Sequence, residues 1–176
     1  MNDMFENAFN LLMGHEGEFS LDPKDRGNWT GGEVGKGLLK GTKFGISAAT
    51  FPDLDIRNLT LAAAREIYRK HYWQVCRCDD MPPSVALLLF DGAVNCSPKK
   101  SVMFLQQALK IRVDGVAGGQ TAAAAKAVRD VMPVLVDMLA FRNEHNRRAP
   151  SAADHGLGWS RRLFKLAFQS IYFNPS

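Results

Sequence analysis

Apolar residues near the start of the chain recur with the period of an α-helix. Phe5, Phe9, Leu12 and Glu16 fall at positions i, i+4, i+7 and i+11, so these four side chains share one face of a helix. Asp3 stands where its side chain can cap the first turn. The pattern predicts an amphipathic helix over residues 3–16, with Glu16 at the end of its apolar face.

The segment that follows loses this period. Residues 17–46 hold eight of the fifteen glycines in the chain, together with several turn signals. This composition predicts a loop that contains a short β-hairpin, with strands near 33–39 and 42–46. Irregular segments of this length are uncommon in compact domains and usually carry function, so candidate functional residues are expected here.

Helical periodicity returns after the loop and continues towards the end of the chain. It predicts helices over 60–73, 83–95, 98–110, 120–147 and 159–172, with the fourth broken at Pro133. Asn58 or Thr60 can cap the first of them. The sequence therefore predicts a mainly α (α+β) fold with one small early β-hairpin.

The loop at 111–121 carries its own turn signals. Gly115 suits a left-handed turn position, Asp114 can bond its own turn, and Thr121 can start the next helix. Any small helical module could contain such a turn, so we expect a structural role for it ahead of a functional one.

Composition narrows the class of partner only slightly. The 176 residues suffice for one domain with a real core, since 46% are hydrophobic and 23% are charged. A net charge of +4 and a pI near 9.1 favour an anionic partner, such as nucleic acid, a membrane surface or the bacterial cell wall. No clustered basic stripe with aromatic residues is present, so no nucleic-acid partner is expected.

The three cysteines do not make up a disulfide framework, because their number is odd and two of them stand one residue apart. Cys76 and Cys78 could bind a metal ion with His71 and Cys96, but the spacing differs from the two-residue gap of zinc knuckles. Small, partly buried thiols are the interpretation that we favour.

The start of the chain lacks the basic and long apolar regions of a signal peptide, and the most apolar run, residues 85–90, is too short to span a bilayer. These features predict a cytoplasmic protein, as made, with no membrane insertion. If the substrate lies outside the cell membrane, another protein must let this one out.

Glu16 is a candidate general acid. Burial disfavours the charged form of a carboxyl group and raises its pKa, and a glutamate that is partly neutral near pH 7 can protonate a leaving oxygen. The alternative is a glutamate at a frayed helix C-terminus, where the helix dipole also disfavours negative charge. Spacing alone does not decide between the two.

The loop offers further carboxylates, Glu18, Asp22, Asp25 and Glu33. Glycoside hydrolysis usually needs a second carboxylate, which activates water or stabilises positive charge on the sugar ring. Taken singly, each of these residues is more often a solvated loop acid or the first residue of an Asx turn.

An ordered series of motifs runs through nearly the whole chain. It consists of Glu16-Gly17-x-Phe19-x-x-Asp22-Pro23-x-Asp25-x-Gly27, Thr42-x-x-Gly45-Ile46-Ser47, Ala64-x-Glu66-Ile67-Tyr68-Arg69-x-x-Tyr72-Trp73, Phe90-Asp91-x-Ala93-Val94-Asn95, Leu105-Gln106-x-Ala108-Leu109, Asp114-Gly115-Val116-x-Gly118-x-x-Thr121 and Gly158-Trp159-x-x-Arg162. No single motif is specific, but in this order and spacing the series resembles the glycoside hydrolase family 108 muramidases, which are phage and prophage endolysins. The resemblance covers about residues 10–172.

The resemblance implies a lysozyme-like helical fold in which Glu16 matches the catalytic glutamate. The order of Glu16, Asp25 and Thr42 also resembles phage-type lysozymes, so Asp25 is the expected second polar group and Thr42 could position water. The second half of the family is described as peptidoglycan-binding. This implies a catalytic region over 1–94 and a helical peptidoglycan-binding region over 95–176, packed together as one compact unit.

Two departures from the family pattern stand in the loop. Glu18 replaces a glycine, and residues 28–41 are longer and more basic than expected, so they could form an extended hairpin or a mobile lip over the cleft. Trp29 in that stretch could stack on a sugar or serve as a local packing anchor.

Three further residues are candidates for substrate binding. Asp22 belongs to the same loop as Asp25. Asp91 and Asn95 lie four residues apart on an apolar helix, so they share a face and could contact substrate or form buried hydrogen bonds.

These features together predict a peptidoglycan hydrolase that acts on glycan strands without a metal ion or organic cofactor. The expected activity is that of an endolysin-like N-acetylmuramidase, which cleaves between N-acetylmuramic acid and N-acetylglucosamine after a holin or another export route gives access to the wall. One alternative is a lytic transglycosylase, in which the muramyl 6-hydroxyl attacks in place of water. Another is a non-catalytic cell-wall-binding or virion structural module.

Overall fold

The computed structural model describes residues 3–13, 19–150 and 152–173, and these are mainly helical. The α-helices in this part of the chain are α1 (Met4–Met13), α2 (Leu61–Tyr68), α3 (Pro83–Asn95), α4 (Pro98–Ala108), α5 (Gly119–Ala127), α6 (Met132–Arg147) and α7 (Ala152–Tyr172). Strands β1 (Thr42–Lys43) and β2 (Ile46–Ser47) form an antiparallel pair. The predicted mainly α fold with a small early hairpin is confirmed.

Contacts group the chain into two compact units. The loop unit is Phe9–Tyr68, and the helical unit combines Met1–Ala8 with Arg69–Ser176. Helix α1 contributes residues to both. The division between a catalytic region and a peptidoglycan-binding region at residues 94 and 95 stays a prediction. Among the described helices, none combines the length and the apolar character needed to cross a bilayer.

The hairpin of the loop unit turns at Phe44 and Gly45. Their φ angles are 50° and 73°, and two residues with positive φ are what a tight two-residue hairpin turn requires. The Tyr68 hydroxyl donates to the Phe44 carbonyl oxygen at 3.0 Å. A β-carbon at residue 45 would lie 2.6 Å from that hydroxyl. Glycine is therefore required at position 45 for two reasons, the positive φ of the turn and the closeness of Tyr68.

The predicted first strand over 33–39 is wrong. These residues form turns, and the only extended pairing near them among the described residues is a single bridge between Trp29 and Leu39. Gly35 and Gly37 have φ angles of 79° and 81°, and such left-handed residues interrupt a strand. The partner of β1 is instead β2, which follows it directly.

Three aromatic rings pack together in the helical unit. Phe5, Trp73 and Phe90 meet edge to face with ring centroids 5.4 to 5.8 Å apart, and all three are fully buried. This is the arrangement that aromatic quadrupoles favour. The Trp73 indole N–H donates to Asp79 at 2.8 Å, so its one polar atom is satisfied.

Helices α3 and α4 approach each other closely at Gly92. A β-carbon there would lie 2.5 Å from the Ser101 hydroxyl oxygen, and that hydroxyl donates to the Leu89 carbonyl at 2.7 Å. Residues 85–93 of α3 are all buried, which explains why this part of the helix is apolar on all sides apart from Asp91.

The loop between α4 and α5 is organised by the buried Gln106. Its amide oxygen accepts from the Asp114 and Gly115 N–H groups at 3.0 and 2.8 Å, and its NH₂ donates to the Asp114 carboxylate at 2.8 Å. Gly115 has a φ of 74°, and Asp114 accepts from the Val116 N–H. The predicted roles of Asp114 and Gly115 are therefore confirmed.

Three predicted helix boundaries are wrong, and one of them is the start of the last helix, which lies at Ala152 and not at residue 159. Thr121 does not start α5, because Gly118 holds the N-cap position and Thr121 is buried against Gln106. The long helix predicted over 120–147 breaks at 128–131 and not at Pro133. Pro133 lies in the first turn of α6, where its missing N–H removes no helical hydrogen bond.

One buried carboxylate joins three helices. Asp91 on α3 is 4% exposed. It accepts from Arg142 on α6 at 2.5 Å and from Arg162 on α7 at 2.6 Å. Burial by itself would raise the pKa of Asp91, but the two guanidinium groups outweigh that effect and hold the pKa below its ordinary value.

Replacing Asp91 with asparagine is expected to lower the free energy of unfolding by about 3 kcal/mol at neutral pH, because Arg142 is left buried without its counter-charge. A carboxyl group with a lowered folded-state pKa stabilises the fold above its unfolded pKa of about 3.9 and loses that effect as pH falls through the folded value. The difference between wild type and Asp91→Asn should therefore shrink below about pH 4. Urea unfolding across pH checks both effects.

The matched control is Asp53→Asn, at an exposed carboxylate of the loop unit, which should change stability by less than about 0.5 kcal/mol. An Asp91→Asn variant as stable as wild type at neutral pH would show that the ion pairs contribute nothing net.

Candidate active site

The predicted general acid, Glu16, belongs to residues 14–18, which lie outside the described part of the chain. The same holds for Glu18 and for the last residues of the helix predicted over 3–16. The next described residue is Phe19, and Ser20 exchanges two backbone hydrogen bonds with Thr42, at 2.8 and 2.9 Å. Ser20, four residues after Glu16 in the sequence, is thus attached to β1.

Asn28 is the polar centre of the loop. Its side chain is fully buried, its NH₂ donates to the Asp22 carbonyl at 3.0 Å, and its amide oxygen accepts from the Thr42 hydroxyl at 2.7 Å. Its backbone carbonyl accepts from the N–H groups of Lys40 and Gly41. The side chain and the backbone carbonyl of Asn28 therefore attach the loop that begins at Asp22 to β1 and to the residues just before it.

Thr42 is half-buried beside Asn28. Because its hydroxyl proton is donated to Asn28, the remaining capacity of the oxygen is as an acceptor. A water molecule at this site would donate to Thr42, and its lone pairs would point elsewhere. This geometry suits the predicted water-positioning role.

Asp25 caps the short 3₁₀ turn Arg26–Asn28. One carboxylate oxygen accepts from the Gly27 N–H at 2.8 Å, and the side chain is exposed. Within the described residues, the second oxygen accepts no hydrogen bond. The carboxylate is therefore held in one orientation by backbone while half of it stays accessible.

Asp22 and Trp29 both make local contacts. Asp22 accepts from the Lys24 N–H at 2.9 Å and forms an exposed Asx turn. The Trp29 indole N–H donates to the Pro23 carbonyl at 2.9 Å, so the Trp29 side chain is bonded back to the start of this loop. These contacts match the packing interpretation of Trp29, and a sugar-stacking role for its ring stays a prediction.

Two lysines attach the hairpin region to the following loop. Lys40 donates to the Pro52 carbonyl at 2.6 Å, and Lys43 donates to the Arg57 carbonyl at 3.0 Å. A recess of about 340 Å³ opens in the same unit. It is lined by Leu21, Leu39, Lys40, Asp53, Leu54, Asp55, Ile56 and Arg57. Its charged groups have both signs, so it is suited to a neutral polar ligand better than to a simple anion.

Asp91 and Asn95 lie in the helical unit and contact each other. The Asn95 side chain donates to the Asp91 carbonyl at 2.8 Å, and both carboxylate oxygens of Asp91 bind arginine. Buried hydrogen bonding, one of the two interpretations open from the sequence, describes Asp91, whereas Asn95 is exposed. The role of this pair in substrate binding stays a prediction.

The cysteines are free thiols. Cys76 and Cys78 are buried and Cys96 is half-buried. Burial raises the pKa of the Cys78 thiol, and its hydrogen bond with Cys76 raises it further. No group of three or more His, Cys, Asp or Glu side chains that could hold a metal ion occurs within residues 3–13, 19–150 and 152–173.

Comparison with known families identifies the class of enzyme. The family model of glycosyl hydrolase 108 matches residues 9–96, which is half of the chain. The chain belongs to glycosyl hydrolase family 108. The matched segment includes Glu16, Asp25, Thr42, Asp91 and Asn95, and it covers the whole loop unit. Family membership supports a glycoside hydrolase with peptidoglycan as its substrate.

Solved structures confirm the fold. The structure of Brucella abortus SagA matches with a TM-score of 0.84 and 24% sequence identity, covering 100% of this chain and 98% of that chain. At this identity the match shows the fold alone, and it confirms the predicted mainly α, lysozyme-like architecture. No protein of curated function shows significant sequence similarity to this family 108 chain.

Sequence reasoning missed Asn28 and Arg142. Asn28 stands among polar loop residues, and no local pattern separates a buried asparagine from a solvated one. Arg142 follows an apolar stretch of α6 at a position of the core face, and a charge on a core face is a usable signal for a buried ion pair.

Replacing Asn28 with alanine is expected to destabilise the loop by about 1–3 kcal/mol, because the Asp22 carbonyl and the Thr42 hydroxyl each lose a buried partner. Proteolysis within residues 20–49 should become faster, and the Thr42 amide should exchange faster with solvent. The exposed Asn58, which bonds only to Asp55 among the described side chains, is the control. Equal protection in Asn28→Ala and Asn58→Ala would contradict the central role of Asn28.

Proposed function

We propose that this family 108 protein is an N-acetylmuramidase in which Glu16 acts as the general acid. The observation that carries the proposal is the family match over residues 9–96, which includes the motif from Glu16 to Gly27. The substrate is the β-linked glycan strand of peptidoglycan, cut between N-acetylmuramic acid and N-acetylglucosamine.

Cleavage begins with proton transfer. The Glu16 carboxyl group protonates the glycosidic oxygen, the bond from that oxygen to the anomeric carbon breaks, and positive charge develops on the sugar ring. Asp25 meets this charge, or accepts a proton from the water that attacks the anomeric carbon. The accessible oxygen of its carboxylate supports this role, since the other oxygen is held by the Gly27 N–H.

Thr42 orients the water. Its hydroxyl donates to Asn28 and so can only accept from a water molecule, which turns the lone pairs of that water away from Thr42. Asn28 thereby acts as a positioning residue for both Thr42 and the Asp22–Asp25 turn.

Replacing Glu16 with glutamine is expected to reduce peptidoglycan clearing by at least about 10²-fold without loss of fold, because the amide cannot donate the catalytic proton. Turbidity loss of purified peptidoglycan measures the rate, and thermal unfolding checks the fold. Glu18→Gln is the matched control, since it makes the same chemical change two residues away and should clear peptidoglycan at nearly the wild-type rate.

Three other results would contradict the assignment. Clearing by Glu16→Gln at the wild-type rate would exclude Glu16 as the acid. Loss of activity in Glu18→Gln with retention in Glu16→Gln would move the role to the second glutamate. Wall binding by wild type without any clearing would favour the non-catalytic module.

The products distinguish hydrolysis from transglycosylation. A muramidase uses water as the nucleophile and is expected to leave reducing N-acetylmuramic acid ends, whereas attack by the muramyl 6-hydroxyl leaves 1,6-anhydro ends. Mass spectrometry of the released muropeptides, with and without borohydride reduction, checks this expectation. A digest dominated by 1,6-anhydro ends would make the protein a lytic transglycosylase.

Access to the wall completes the proposal. The substrate lies outside the cytoplasmic membrane, so the protein would reach it through a holin-type lesion or another export route. This part of the proposal is supported only by the resemblance of the motif series to phage and prophage endolysins.

A further inference from the structure

Helices α6 and α7 present a broad apolar face to solvent. On α7, Leu157, Phe164 and Phe168 are each 68% exposed and Ile171 is 52% exposed; on α6, Val136 is 57% exposed. The opposite face of α7 is buried through Leu163, Leu166 and Ser170. Helix α7 therefore has two apolar faces, and among residues 3–13, 19–150 and 152–173 only one of them is covered.

The exposed residues form a continuous surface. At 100° per residue, these four α7 side chains fall within an arc of about 60°, and Tyr172, which is 84% exposed, widens the arc to about 100°. We call these exposed α7 side chains the stripe, and a groove of about 260 Å³ lies between the stripe and α6. Its lining is Val136, Leu139, Ala140, Asn143, Ser160, Leu163, Phe164 and Ala167. The stripe and the groove together make up the α6–α7 face.

Beside the groove, the two edges of the α6–α7 face carry opposite charges. On the same helical projection, Asp137 and Glu144 lie on the outer edge of α6, and Arg161 and Lys165 lie on the outer edge of α7. Asp137, Arg161 and Lys165 form no ion pair within the described residues, and Glu144 pairs with Arg147 and Arg148 of its own helix end.

The heights of these charges along the helices also match. A short connection joins α6 and α7, so they run as an antiparallel hairpin. The groove is lined by 136–143 on α6 and 160–167 on α7, which puts Val136 level with Ala167 and Asn143 level with Ser160. Lys165 is then level with Asp137, and Arg161 is nearly level with Glu144, on opposite edges of the same face.

We propose that the α6–α7 face binds the same face of a second copy of this chain, forming a two-fold dimer. A two-fold axis parallel to the helices stacks α7 of each copy on α6 of the other. It brings Lys165 to Asp137 of the other copy, twice, whereas Glu144 keeps the arginine partners of its own helix end. A two-fold axis across the helices would instead oppose like charges, so the charge pattern selects the first arrangement.

The size of the face is adequate for such a contact. Phe164, Phe168 and Tyr172 are at least 68% exposed, and large aromatic side chains bury about 150–250 Å² each. With the aliphatic residues, the face offers on the order of 700 Å² per copy, close to the roughly 800 Å² per partner of a standard interface. Monomers rarely leave so large an apolar patch exposed.

An anionic membrane fits the face less well than a second copy does. The basic edge would attract acidic lipid headgroups, but the acidic edge of α6 would be repelled by them. A self-complementary partner satisfies both edges at once. This inference does not depend on the proposed muramidase activity.

Sedimentation equilibrium of the full chain tests the dimer, and a charge swap tests its arrangement. Asp137→Lys and Lys165→Asp should each weaken dimerisation by about tenfold or more, because each places like charges together twice. The double variant Asp137→Lys/Lys165→Asp should restore dimerisation to near the wild-type level. Phe164→Ser should weaken it as well, and each variant should keep the wild-type circular dichroism spectrum, since all these residues are at the surface.

Matched controls lie away from the α6–α7 face. Lys126→Asp at the end of α5 changes the same charge, and Leu38→Ser removes an exposed apolar side chain of the loop unit; both should leave dimerisation unchanged. A wild-type protein that stays monomeric at about 100 μM, where weak interfaces associate, would overturn the proposal. So would a dimer unaffected by the single reversals, failure of the double variant to restore it, or binding of the monomer through Phe164 to phosphatidylglycerol vesicles.

Discussion

The helical unit depends on the charge of Asp91. A carboxylate that is 4% exposed is unfavourable unless opposite charges and hydrogen bonds surround it, and Arg142 and Arg162 supply both. Because the three residues stand on α3, α6 and α7, satisfying one charge determines how three helices pack. The apolar face that α6 and α7 leave exposed is a consequence, since their inward faces are committed to α3 and to each other.

In the loop unit, too, buried polar groups must find hydrogen-bond partners, but here the groups are neutral. An irregular segment must satisfy its backbone polar groups without a regular ladder, and Asn28 does so for much of the segment. Its side chain and carbonyl together bond to Asp22, Thr42, Lys40 and Gly41. A loop held by these hydrogen bonds can keep a carboxylate and a hydroxyl in constant positions. Glycoside cleavage requires such preorganised groups, because they stabilise a short-lived charge.

Several motifs that looked independent in the sequence are partners in space. Asp91 of one motif binds Arg162 of another, Gln106 binds the Asp114–Gly115 turn, and Tyr68 packs on the Phe44–Gly45 turn. Folding contacts are sufficient to account for these motif residues, while a role of Asp91 in substrate binding stays a prediction. Asp25 is different, because one of its oxygens has no partner within the described residues, and that difference is the reason to keep it as a candidate for chemistry.

Local patterns were sufficient for the helices and for some turns. An apolar run that begins after Pro83 located α3 over 83–95, and the Asp114–Gly115 turn followed from residue types alone, because these features depend on interactions between neighbours in the chain. The same local reasoning assigned a strand to 33–39 and misplaced a helix break at Pro133. The strand does not form because Gly35 and Gly37 have positive φ angles. The helix does not break at Pro133 because a proline is compatible with the first turn of a helix.

The sequence by itself determined the mainly α class, the family and the order of the candidate residues. Only the tertiary structure decided that Asn28 is buried, that Asp91 is neutralised by arginines 51 and 71 residues away, and that α7 keeps a second apolar face in solvent. Burial and charge pairing depend on residues distant along the chain. A single sequence contains those residues but does not state which of them meet.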